Sequence, residues 1–60
     1  MELMSIKEVS RVLKVNKNKV YNLIEENELK AIKLGSLKVS NIELERFILK
    51  KEANFNEHKN

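Results

Sequence analysis

Ser5-Ile-Lys-Glu-Val-Ser-Arg-Val-Leu-Lys-Val-Asn-Lys-Asn-Lys-Val-Tyr-Asn-Leu-Ile24 carries two short apolar stripes separated by a break. Ser5-Ile-Lys-Glu8 fits a capping box: the serine hydroxyl takes one free amide and the glutamate returns to another. Ile6, Val9, Val12 and Leu13 then recur at i, i+3 and i+6/i+7, which makes them the expected core face of a first helix. Val15-Asn16 breaks the pattern, and the Asn16 side chain can accept from amides one turn ahead as an N-cap. A second helix follows, with Val20, Leu23 and Ile24 inward, and it is expected to stop near Asn27, because asparagine tolerates the left-handed conformation. Only about three non-helical residues separate the stripes, the spacing of a helix-turn-helix.

Outward from this stretch the period changes. Ala31 to Leu34 and Leu37 to Val39 read as two short strands around Gly35-Ser36, a two-residue turn whose first position needs positive φ. A lone hairpin is unstable, so it must lean on the helices. Ser40-Asn41-Ile42-Glu43 is another box-like helix start. Ile42, Leu44, Phe47 and Ile48 supply the apolar positions of a third helix, with Lys50 and Lys51 at the favourable end of its dipole. Residues 52–60 are polar apart from Ala53 and Phe55 and are expected to fray. The expected fold is mainly α with a small β-hairpin, a winged helix-turn-helix of three helices and a two-stranded wing over residues 1–51.

Composition excludes much. Sixty residues allow one small domain. Cysteine and aspartate are absent and His58 is the one histidine, so thiolate metal sites, hydrolytic triads and carboxylate–histidine relays lack their parts. An enzyme, a cofactor and a metal site are therefore not expected. No apolar run approaches the ~18 residues of a membrane span and no signal peptide is visible, so a cytoplasmic binding module is expected. Twelve Lys and Arg against nine Glu give a net charge of +3. Their distribution says more: from Val9 to Ile24 there is no acid, while Arg11, Lys14, Lys17 and Lys19 are basic. Such a field attracts phosphate.

On a helical wheel the second helix places Asn18 and Asn22 opposite its buried side, with Lys17 and Tyr21 at one edge and Lys19 at the other. The early part of such a helix is the part that enters the major groove. Asparagine can pair bidentately with adenine, which points to an A·T-rich target. Lys30, Lys33 and Lys38 around the hairpin fit backbone or minor-groove contacts, or equally the blocking of a strand edge. Tyr21 can reach a phosphate or close the core rim. Two asparagines and two lysines on a helix face are also what an ordinary solvated face looks like.

The residues from Ser5 to Ile24 resemble the opening of the excisionase-family helix-turn-helix domain, a small winged helix related to the DNA-binding part of MerR-type regulators. Glu8, Val9, Leu13, Val15, Val20, Tyr21, Leu23, Ile24, Glu28, Leu29 and Ala31 fall on matching positions. Leu34-Gly35 and Val39 through Phe47 resemble the family's wing and last helix, so the likeness spans about residues 4–49. It implies groove-facing roles for Asn16, Lys17, Asn18, Lys19 and Asn22, and a wing contact for Lys38. Three positions depart from the pattern. Lys14 stands where a turn glycine is usual, at a cost of about 1 kcal/mol. Ser10 replaces an alanine. The wing is about one residue shorter, with Ser36 where arginine is common, which argues against deep insertion of its tip. The resemblance implies a recombination directionality factor that bends an attachment-site arm of a mobile element, cooperates with further copies of itself and recruits an integrase. A small transcriptional regulator is the alternative, and a protein-interaction module without DNA binding is the alternative of another class.

Overall fold

The computed structural model describes residues 1–58. Its elements run β1 (Leu3–Ser5), α1 (Ile6–Leu13), α2 (Lys17–Glu25), β2 (Ile32–Leu34), β3 (Ser36–Ser40) and α3 (Asn41–His58). This is a winged helix-turn-helix, with three helices around one core and a small antiparallel sheet.

The local rules operate as the sequence leads one to expect. The Ser5 hydroxyl accepts from Glu8 N at 3.1 Å and the Glu8 carboxylate accepts from Ser5 N at 2.8 Å, completing the capping box. Asn16 Oδ1 accepts from Lys19 N at 2.9 Å and so caps α2. Both helices end in the same device. Lys14 adopts the left-handed conformation at φ +58°, and Asn27 does so at φ +63°. After α1, Lys14 N donates to Arg11 O at 3.3 Å and Val15 N to Ser10 O at 3.0 Å. After α2, Asn27 N donates to Ile24 O at 3.0 Å and Glu28 N to Leu23 O at 2.9 Å. These paired bonds are Schellman motifs, which satisfy otherwise orphaned carbonyls.

The core is Ile6 and Val9 from α1, Val20 and Leu23 from α2, Leu29 from the following loop, Val39 from β3, and Leu44 and Phe47 from α3. Val12, Ile42 and Ile48, expected inside, are 50%, 56% and 39% exposed. The wheel explains this. Val12 lies about 110° from the centre of the α1 core face, and Ser10 takes its place there. Ser10 is buried, and its hydroxyl donates to Lys7 O at 2.7 Å. Ile42 faces away from the Leu44–Phe47 side, and Ile48 sits at its margin.

The wing differs in two ways from the expected hairpin. It gains a third strand: β1 pairs antiparallel with β3, giving the order β1-β3-β2. Ser5 therefore ends a strand and caps a helix at once, and the extra strand supplies the support that a lone hairpin lacks. The turn is also tighter. Leu34 pairs with Ser36, so Gly35 alone forms the tip, at φ +73°. The glycine has the positive φ expected of it, but the loop is one residue and not two, because Ser36 already pairs with Leu34.

Helix α3 departs at both ends. Its Ser40 hydroxyl accepts from Glu43 N at 3.0 Å, as a cap should. The Glu43 carboxylate does not return to Ser40, however; it accepts from Lys30 N at 3.1 Å and pairs with Arg46 at 2.6 Å. The N-terminal strand is tied to the same place, with Glu2 N donating to Asn41 Oδ1 and Asn41 N to Glu2 O, each at 2.9 Å. At the other end the helix runs on to His58, through the stretch expected to fray. Residues 59 and 60 of that expected tail lie outside the described residues. Lys50 and Lys51 are consequently mid-helix and not at the negative end of its dipole.

Candidate nucleic-acid interface

Helix α2 is held by its apolar side, where Val20 is fully buried and Leu23 nearly so. Packing that side inward turns the opposite face out. Asn18 and Asn22 are exposed there, beneath neither the wing nor α3. Lys17 and Lys19 are exposed at the two edges, and Tyr21 is 46% exposed beside Lys17. No acid occupies the first turn of α2, so its positive dipole end is left unopposed. Arg11 and Lys14 are exposed just before it, in the same acid-free stretch.

Asn16 is placed differently from its neighbours. Its side-chain oxygen is engaged by the Lys19 amide, which fixes the side chain against the start of α2. Asn16 therefore aligns α2, and the free amide groups belong to Asn18 and Asn22.

The wing lysines do not form one cluster. Lys38 pairs with Ile32 on one side and Ser5 on the other, whereas Lys33 pairs with Leu37. Successive strand residues point to opposite faces, so Lys33 and Lys38 project from opposite sides of the sheet and are not neighbours on one face. Lys38 is half-buried on the outer face beside Leu3 and Ile32; Lys33 is exposed at the end of the core-side face. Lys30 is exposed, but its backbone amide is fixed by Glu43.

Glu43 is the strongest electrostatic feature near the site. Hydrogen bonding from Arg46, then from the Lys30 amide, holds its carboxyl at about 2, against partial desolvation that pushes it up. The same pairing raises the Arg46 pKa. Glu43 thus anchors the loop that leads from α2 to the wing. Sequence reading missed that role because the partner, Lys30, contributes a backbone group with no side-chain signature. It likewise missed Glu28 and Lys51, which form an ion pair beside the Lys19 edge of α2.

Among the described residues, no group of three or more His, Cys, Asp or Glu could hold a metal ion, and no helix is long and apolar enough to cross a membrane. No curated protein and no solved structure shows significant similarity to the chain. Residues 3–52 do match a family model described as a helix-turn-helix domain, a DNA-binding and non-enzymatic kind of fold, and the chain belongs to that family.

Proposed function

We propose that this domain reads double-stranded DNA with the outer face of α2 and acts as an excisionase-type architectural factor. One observation carries the reading: Asn18 and Asn22 stand exposed, four residues apart, on the helix that a helix-turn-helix offers to the major groove. Each can pair bidentately with adenine, worth about 1–3 kcal/mol of discrimination, so the favoured target is A·T-rich. Lys14, Lys17 and Lys19 supply phosphate contacts around them. Lys38 and Lys33 reach the backbone from the two faces of the wing, and Lys30 from its base.

A single module of this size buries roughly 600–1,000 Å² on DNA, which limits its affinity. Cooperative binding of copies to adjacent sites overcomes that limit and bends the DNA, the bending cost being offset by added phosphate contacts. In this reading the bent arm is presented to an integrase, and excision of a mobile element follows.

Footprinting on the DNA flanking the gene tests the proposal. A run of adjacent protected sites beside an integrase gene, with excision lost and integration retained on deletion, is the expected result. Protection confined to a promoter, with altered transcription and normal excision, would make the protein a transcriptional regulator. Absence of protection at low salt would remove DNA reading altogether.

A further inference from the structure

On the Lys19 edge of α2, a groove of about 270 Å³ lies between the helix-turn-helix and α3. Leu13, Val15, Leu23 and Phe47 form its apolar floor, and Lys19, Glu28 and Lys51 stand at its rim. Val15 is 37% exposed, so the floor is open to a visitor. Lys51 pairs with Glu28 and holds its ammonium 5.7 Å from the centre of the Phe47 ring. The Glu28 carboxyl is held below its usual value first by the Lys51 hydrogen bond, then by the Lys51 charge, with smaller contributions from Lys50 and Lys19. Two lysines and one carboxylate therefore stand at the rim, which keeps a positive excess.

The groove is open along one side and smaller than the roughly 300–1,000 Å³ of pockets that enclose small molecules. It suits an anchoring side chain from a protein partner, of the kind that fills a pocket at the centre of an interface. The rim calls for acid around that anchor. A second copy is a poor match in charge, because the chain is itself +3. We propose that this groove docks an acidic amphipathic segment of a partner protein, with one large apolar side chain over Phe47 and flanking carboxylates on Lys19 and Lys51. The reading face of α2 stays free, since Asn18 and Asn22 lie outside the groove and only Lys19 is shared. Glu28 occupies the carboxylate position until the partner arrives.

The test is a titration of the isotopically labelled full chain with an amidated amphipathic peptide of leucine, phenylalanine and glutamate, followed by amide chemical shifts. Saturable shifts centred on Leu13, Val15, Leu23 and Phe47 are expected. Glu28→Gln, which removes the competing carboxylate, should tighten binding about threefold, and Lys51→Glu should weaken it about tenfold. A peptide with glutamine in place of glutamate should bind far more weakly. The proposal is overturned if no saturable shifts appear, if the neutral peptide binds as well, or if the shifts centre on the outer sheet face at Leu3, Ile32 and Leu34. Both substitutions moving affinity in one direction, in variants whose thermal melts show them folded, would overturn it too. The titration contains no DNA, so its failure leaves the DNA-reading proposal standing.

Discussion

At single positions, the interface divides into groups that read, groups that hold charge and groups that set the backbone. Asn18 is exposed with its amide uncommitted to a helix cap, whereas Asn16 spends its oxygen on Lys19 N. Asn18→Ala should therefore relax preference at one base pair by about 1–3 kcal/mol while non-specific affinity stays near its original value. Competition binding with base-substituted sites measures this; unchanged preference would mean that another face reads. Lys14 combines two roles, because a left-handed lysine is strained and its charge lies beside α2. Lys14→Gly should stabilise the fold by up to about 1 kcal/mol, since glycine adopts that conformation without a Cβ clash. The same change should weaken DNA binding on every sequence and reduce the log–log salt slope by about 0.9. Urea denaturation and salt-dependent binding on one variant would thus move in opposite senses.

Among the elements, caps and ties matter more than length. Helix α2 has nine residues, too few to persist alone, so its N-cap and its buried side must hold it. Asn16→Ala should cost about 1 kcal/mol of stability, measured by thermal melting, and lower DNA affinity on all sequences alike, because the whole helix loses its start. The link from α2 to the wing depends on Glu43. Its folded pKa of about 2 lies below the ordinary carboxyl value of 4.5, so the unfolded chain takes up the proton first as pH falls. The stabilisation is complete above about pH 4.5 and is lost as pH drops toward 2. Acid titration of stability should show this decline, and Glu43→Gln should be less stable at neutral pH and flatter across that window. A variant whose stability declined in parallel with the parent would remove Glu43 as the cause.

Over the whole molecule, sixty residues leave little reserve. Stability of about 0.05–0.15 kcal/mol per residue gives a total of roughly 3–9 kcal/mol. Leu29 is fully buried at the junction of helices and sheet. Leu29→Ala should cost about 2–5 kcal/mol, enough to leave a substantial unfolded population at 37 °C by circular dichroism. A folded, cooperative variant with an unchanged melting temperature would show that the core closes without it.

The two capping motifs, the turn between α1 and α2, the outward face of α2 and the positive φ of Gly35 were legible in the chain because each depends on groups within a few residues of one another. Local hydrogen bonds and helical period leave their marks at short spacing. The added strand β1 was not legible, because Leu3–Ser5 becomes a strand only when β3, some thirty-five residues away in sequence (Met4 pairs with Val39), offers an edge. Apolar side chains announce burial without saying which of several a small core has room for; Val12, Ile42 and Ile48 were left outside while Leu29 was taken in. The partners of Glu43 and Glu28, and the opposite outlooks of Lys33 and Lys38, were likewise decided by packing and register. Contacts of that kind join distant segments through geometry that composition and periodicity do not encode.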